Sequence, residues 1–374
     1  MDFDVIVIGG GIAGASVAFE LSAARRVLVV ERESAPGYHT TGRSAAMFLR
    51  TYGEAPVRAL AAASQRHLFA PPEGFAEAPL VSPRPFMFVA RGDQMATLEA
   101  KLATQPDVLE AIDAERACAL VPVLRPDYLA GAAIEPDAVE LDVHGLHHGY
   151  LRGLKARGGR LALDAEVTAI ARRDGTWRVA TRAGEFAAPV LIDAAGAWAD
   201  EIAALAGAAP VGLVPKRRTV IVFDPPEGVD PSPWPMVVDI DEKFYFRADA
   251  GRILASPADE TPMPPCDVQP EEIDIAIAID RIERATSLAV RRPSHRWAGL
   301  RSFVADHLPV IGYDDRCEGF FWLAGQGGIG IMTAPATARL AAALVMGEDS
   351  PAEIADASVD AATFAPARLA RRAD

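Results

Sequence analysis

The sequence predicts an α/β fold built on a Rossmann-type parallel sheet, joined to a second region of mixed-sheet α+β character. A strand–glycine–helix–strand unit occupies the first 31 residues. A second glycine-rich strand-to-helix junction lies near residue 325, and a strand-rich block separates the two. At 374 residues the chain is long enough for two cores rather than one.

The N-terminal unit is the most specific stretch. Asp4-Val5-Ile6-Val7-Ile8 reads as a buried strand and leads into Gly9-Gly10-Gly11-Ile12-Ala13-Gly14, a GxGxxG. An Ala- and Leu-rich helix follows to about Ala24, then the strand Val27-Leu28-Val29-Val30 closed by Glu31. Each part has a physical role. Gly9 permits the tight turn, Gly11 lets the backbone approach a pyrophosphate, and Gly14 lets helix and strand pack closely. The helix N-terminus turns unpaired N–H groups toward phosphate charge, and Glu31 is placed to accept hydrogen bonds from a ribose.

Composition excludes several functions. The chain is 50% hydrophobic and 24% charged, a globular balance, and its net charge of −14 argues against nucleic acid as a partner. Cys118, Cys266 and Cys317 are far apart and form no CxxC, so neither a disulfide framework nor a zinc site is expected, and a reducing cytoplasm fits. No leader pattern and no spanning apolar run is read, while peripheral contact with a membrane stays open. His144, His147 and His148 share a helical spacing able to hold a metal, but no adjacent acid completes a site and no metal is expected.

Along the chain, residues 142–155 read as a helix. Strands are read at Arg160–Leu163, Glu166–Ile170, Trp177–Ala180 and Val190–Ile192. The last of these runs into the small residues Asp193-Ala194-Ala195-Gly196, an end against which a nucleotide can lie. Thr219–Phe223, Met236–Val238, Phe244–Phe246 and Arg252–Ala255 continue the strand pattern, and 270–289 reads as a helix with an acidic start. Finally, Phe320–Ala324 enters Gly325-Gln326-Gly327-Gly328-Ile329-Gly330, followed by an apolar helix from about Thr333 to Met346. One dinucleotide needs only the first glycine junction. FAD explains both: its adenine end suits the N-terminal unit, and its ring end would meet the second helix N-terminus, whose dipole favours the charge of a reduced flavin.

The chain resembles the FAD-dependent amine and D-amino-acid oxidoreductases, the D-amino acid oxidase (DAO) family, and among them the bacterial D-arginine dehydrogenase type. The resemblance rests on residues 36–46 (PGYHTTGRSAA), 81–85 (VSPRP), 148–153 (HGYLRG), 215–218 (PKRR), 291–293 (RRP) and 297–306 (WAGLRSFVAD), and it runs over nearly the whole chain. It implies a glutathione-reductase-like FAD domain from 1–80, 140–215 and 300–374, interleaved with a substrate domain from 81–139 and 216–299. It implies FAD contacts at Gly9, Gly11, Ile12, Ala13, Gly14, Glu31, Arg32, Thr41, Gly42, Arg43, Ser44 and Ala46. Further contacts are implied at Val167, Ala195, Gly196, Trp198, Gly327, Gly328, Gly330, Ile331, Met332 and Thr333. Some members tether the flavin to a cysteine in the region matching Leu300–Ser302. None stands there, so the FAD is expected to be non-covalent.

The chemistry implied is transfer of a hydride from Cα of an amino acid to the flavin, after which the imine hydrolyses to a 2-oxo acid and ammonia. Arginine forks hold carboxylates best, and the resemblance gives that role to Arg218 and Arg301. Tyr245 adds a hydrogen bond, Tyr52 lines the pocket, and the Gly328 carbonyl receives the amine. Departures from the D-arginine type cluster on the side-chain pocket. Phe86 replaces a glutamate, Met47 a histidine, Leu49 a threonine, Met332 a glutamine and Ile329 a tyrosine. A buried guanidinium would lose its partner there, so apolar D-amino acids are expected over D-arginine. A glycine- or sarcosine-type secondary amine, a 2-hydroxy acid, or a flavin-binding redox protein without a small substrate stay open. So does the electron acceptor: a quinone, another carrier or O2.

Overall fold

The computed structural model describes residues 3–369. Its first sheet has six strands in the order Val310–Tyr313, Phe320–Ala324, Val190–Asp193, Val5–Ile8, Val27–Val30 and Arg160–Ala162. All neighbours are parallel except the Val310–Tyr313 edge. The central strands are almost wholly apolar because both faces are covered. Helices Ile12–Leu21 and Gly330–Met346 pack on one face. The antiparallel sheet of Val167–Arg173, Thr176–Thr181 and Gly184–Ala188 packs on the other, through Trp177 and Val179.

A second, nine-stranded mixed sheet contains Phe86–Ala90, Gly131–Glu135, Met236–Asp239, Tyr245–Asp249, Arg252–Ser256, and the long antiparallel pair Val214–Phe223 and His295–Phe303. Its central strands are buried on both sides, and alternate residues serve different cores. Met87, Val89 and Val237 face helix Glu272–Ala285. Phe86, Phe88, Met236 and Val238 face the opposite way. A small sheet of Met47–Phe48, Val139–Leu141 and Val81–Pro83 links the two halves. The divisions expected at 215/216 and 299/300 fall inside the continuous strands Val214–Phe223 and His295–Phe303, so both strands run on from one half into the other.

Several helix ends differ from the sequence reading, each for a local reason. The first helix stops at Leu21 because the Ser22 hydroxyl donates to the Phe19 carbonyl (2.7 Å). The helix expected over 270–289 spans Glu272–Ala285, since Thr286 turns extended and its hydroxyl donates to Ile282 O (2.6 Å). The last long helix begins at Gly330, not Thr333. Pro335 interrupts its ladder, and Ser64 Oγ accepts from the Ala336 N–H (3.1 Å). Among the described residues no helix is long and apolar enough to cross a membrane.

The three clustered histidines do not converge. His144 and His148 stack (3.8 Å between ring centroids), while His147 turns inward and places Nε2 2.8 Å from the Gly10 carbonyl. No group of three or more His, Cys, Asp or Glu able to hold a metal occurs among the described residues. Burial pushes both His147 and His67 down to about pKa 4. Each is neutral when folded and takes up a proton when unfolded below pH 6.5. Stability is therefore lost as pH falls from about 6.5 toward 4, by up to roughly 3 kcal/mol per histidine. Thermal melts across this range are expected to show that decline, and His67→Phe to make it shallower, with the contribution of His147 remaining.

Candidate active site

Two cavities run through the junction of the halves. One is lined by Gly11, Ile12, Ala13, Arg43, Ser44, Ala46, Leu300, Arg301 and Gly325–Gly328, the other by Gly9, Glu31, Arg32, Val167, Ala195 and Trp198. They share Gly11, Thr40, Thr41, Ala194, Gly196 and Ala197. The shared wall makes them one elongated trench that crosses the carboxyl ends of the parallel strands, where open α/β sheets bind ligands.

The glycines show what the trench is shaped for. A Cβ on Gly9 would lie 2.5 Å from Ala194 O, at a φ of +104°, and one on Gly14 would lie 1.9 Å from Gly9 O. Those two glycines hold the turn and the packing. At Gly11 the nearest atom to a Cβ is the Thr41 hydroxyl at 3.2 Å, and at Gly196 (φ +59°) nothing lies within 4 Å. Both backbones are therefore bare toward the trench, as a dinucleotide requires. Thr41 also accepts the Ile12 N–H (3.0 Å), marking the helix N-terminus where phosphate would sit. The residues fit FAD.

Other predicted cofactor residues hold the trench together. Glu31 is buried and accepts from the backbone N–H of Gly10 (2.7 Å) and Glu33 (2.9 Å), so it fixes the glycine turn while lining the trench. Arg32 lies over Trp198 (4.9 Å to the ring centroid) and reaches Glu166. Arg43 donates to Val268 O, Ala298 O and Asp267, tying the N-terminal loop to the strand His295–Phe303. Ser44 donates to Thr40 O. Gly42 packs against Gly37 O, and Thr333 donates to Ile329 O; neither lines the trench. Gly330, Ile331 and Met332 line it at the start of the last long helix. None of the three cysteines lies on its walls.

At the inner end the two arginines converge. On the strand Val214–Phe223, Lys216 and Arg218 point to one face, and Arg301 sits directly opposite Lys216. Gly299 is opposite Arg218 and leaves room for its side chain. Arg301 Nη2 donates to Tyr52 Oη (2.7 Å), and Arg301 Nη1 is 3.4 Å from Glu260 Oε1. Arg218 donates through Nε to Asp259 O (2.9 Å) and through Nη2 to Glu260 Oε1 (3.0 Å). Gly328 packs beneath this fork: a Cβ there would lie 1.8 Å from Arg301 Nη2. Tyr245 lines the same cavity.

Beyond the forks lies an apolar chamber of Met47, Leu49, Phe86, Phe88, Met236 and Val238, with Met332 at its inner edge and Tyr52 and Tyr245 at its rim. Phe86 and Phe88 meet edge to face at 4.9 Å. Ile329, expected on this wall, lies instead in the core cluster with Phe48 and Ile331 and does not face the cavity. It is the N-cap of the last long helix, and its carbonyl accepts both the N–H and the hydroxyl of Thr333.

Sequence reading missed Phe88, which shares a strand face with Phe86, and Met236 and Val238, which the parallel register of the neighbouring strand sets beside them. It also missed Glu242, on the chamber wall, and Glu135. Glu135 is buried and accepts from Arg50 N (2.7 Å) and the Thr51 hydroxyl (2.5 Å), holding the loop that carries Leu49 and Tyr52. Burial pushes its carboxyl pKa up. No sequence signal singled it out.

Comparison with known proteins agrees with this geometry. The chain is 24% identical to glycine oxidase from Geobacillus kaustophilus over 96% of each chain. It is 27% identical to mitochondrial sarcosine dehydrogenase from Mus musculus over 57% of this chain and 25% of that one. A Bacillus subtilis oxidoreductase, YurR, is 28% identical over 47% of both. The chain thus spans about half or less of the first curated relatives it matches. Solved structures with the same fold include L-proline dehydrogenase from P. horikoshii (TM-score 0.83, 21% identity, 98% of each chain). Glycine oxidase from G. kaustophilus is another (TM-score 0.82, 22% identity, 97% of this chain and 98% of that one). The family model described as DAO, FAD dependent oxidoreductase, matches residues 4–344. The chain belongs to the DAO family of FAD-dependent oxidoreductases.

Proposed function

We propose that this flavoenzyme oxidises amino acids at Cα, with a preference for D-amino acids bearing apolar side chains. The observation that carries the reading is the juxtaposition of the Arg301–Tyr52 fork with the apolar chamber around Phe86. Arg301 and Arg218 supply charge-assisted hydrogen bonds to the substrate carboxylate. Tyr52 and Tyr245 stand at the rim, and the Gly328 carbonyl accepts from the amine. With the carboxylate and amine fixed, Cα has one orientation toward the trench, and positioning is the protein's main contribution. FAD, when bound, supplies the acceptor for the hydride. The amine must be neutral for this transfer, and a water can take its proton, since Met47 offers no base.

The chamber decides the side chain. Phe86, Phe88, Met47 and Leu49 offer no charged partner, so a guanidinium or ammonium packed against them would stay unpaired unless its side chain reached Glu242 on the wall. The preference for the D-isomer rests on the resemblance of the site motifs. A second reading is oxidation of a secondary amine. It is supported by relatives named sarcosine dehydrogenase and L-proline dehydrogenase, and the same carboxylate clamp would serve it.

Anaerobic bleaching of the flavin near 450 nm separates these readings. D-methionine and D-phenylalanine are expected to reduce the flavin at least ~10-fold faster, at equal concentration, than D-arginine or L-methionine, a ratio in line with a mismatched side-chain pocket. Faster reduction by sarcosine or L-proline would select the second reading, and faster reduction by D-arginine would refute the chamber argument. Gly328→Ala is expected to displace the Arg301 fork and lower kcat/KM by about a hundred-fold, measured by steady-state rates at saturating FAD.

A further inference from the structure

Three cations share one face of the strand pair that ends at the pocket. Lys216 and Arg218 alternate along Val214–Phe223, and Arg301 stands opposite Lys216 in the antiparallel register. Like charges directly opposite one another on a sheet repel. One carboxylate meets all three: Glu260 lies 3.1 Å from Lys216 Nζ, 3.0 Å from Arg218 Nη2 and 3.4 Å from Arg301 Nη1.

The turn that carries Glu260 is pinned on both sides. The Asp259 carboxylate accepts from the Thr219 N–H (2.6 Å) and hydroxyl (3.0 Å). Ser256 Oγ accepts from Ala258 N (3.0 Å), and Pro257 O accepts from Arg281 Nη1 (2.6 Å). After Glu260, Thr261 and Pro262 pair with Arg217 and Lys216 at the sheet edge. The backbone that carries Glu260 is thus held on both sides of it. Arg218 Nη1 has no partner among the described residues, and the forks still face the cavity.

We infer that Glu260 is a positioning residue that aligns the Arg218 and Arg301 forks and offsets one of the three positive charges the substrate carboxylate meets. This rests on the carboxylate clamp proposed above. An uncompensated trio would hold the carboxylate more tightly and disfavour the substrate's ammonium form more strongly. Glu260 thereby tunes both substrate affinity and the pH at which the bound amine becomes neutral. The charged groups facing it are Lys216, Arg218 and Arg301. Tyr52 and Tyr245 border Arg301, and Asp259 with Arg217 lies behind the strand. Burial alone would raise the Glu260 pKa, but the hydrogen bond from Lys216 and the charges of Arg301 and Arg218 outweigh it and hold it below the usual carboxylate range. It is therefore ionised throughout the neutral range.

The test uses the FAD-loaded full chain and 4-methylpentanoate, an apolar carboxylate that lacks the amine and cannot be oxidised. Its Kd is read from the shift it produces in the flavin spectrum, for the wild type and for Glu260→Gln. Loss of the negative charge is expected to tighten binding by about three- to ten-fold. The ascending limb of kcat against pH, which reports the bound complex, is expected to move to lower pH in the same variant with the best amino acid substrate. If the wild type binds the carboxylate while Kd and pH profile are unchanged in Glu260→Gln, and only Tm falls, Glu260 is a structural ion-pair partner and the inference fails alone. If the wild type binds no carboxylate, the clamp fails and this inference falls with it.

Discussion

Arg301 is the residue at which both halves of the molecule meet beside the cavity. It lies on the strand His295–Phe303, which continues from the large mixed sheet toward the cofactor trench. Its guanidinium contacts Tyr52 from the N-terminal region and Glu260 from the large sheet's edge, and it covers Gly328 at the second glycine junction. A substituent as small as a methyl at residue 328 would collide with it. The second glycine run is thus required by a charged side chain as much as by the cofactor. A positive charge this enclosed is tolerable only with hydrogen-bonded partners around it, and Tyr52 and Glu260 provide them.

The large sheet separates stability from specificity by its two-residue period. Met87, Val89 and Val237 pack under helix Glu272–Ala285, while Phe86, Phe88, Met236 and Val238 form the chamber. The chamber side chains therefore stand on strands fixed from behind by a full core, which favours a pre-formed site. The loop with Leu49 and Tyr52 has a different support. Glu135, at the end of the strand Gly131–Glu135, holds it through Arg50 N and Thr51 Oγ1.

Much of this was legible in the sequence where chemistry and spacing coincide. The first glycine run, its flanking strands and Glu31 defined the trench, because each glycine has a steric reason to be there. Arg218 and Arg301 stood in motifs whose resemblance implied a shared role, and the structure brings their forks to one carboxylate, that of Glu260. Phe88, Met236 and Val238 were hidden because their strands are apolar on both faces, so hydropathy cannot say which side faces a cavity. Ile329 was misplaced because the helix begins at Gly330, which turns its side chain into the core. Glu260 and Glu135 act from distant loops and strands, and only the folded register reveals their partners.

The most direct test is a crystal structure of the FAD-loaded protein with bound 4-methylpentanoate. The account predicts a carboxylate within hydrogen-bond distance of Arg301 and Arg218, and an alkyl chain against Phe86, Phe88 and Met236. A carboxylate bound elsewhere, or an alkyl chain directed away from that chamber, would contradict it.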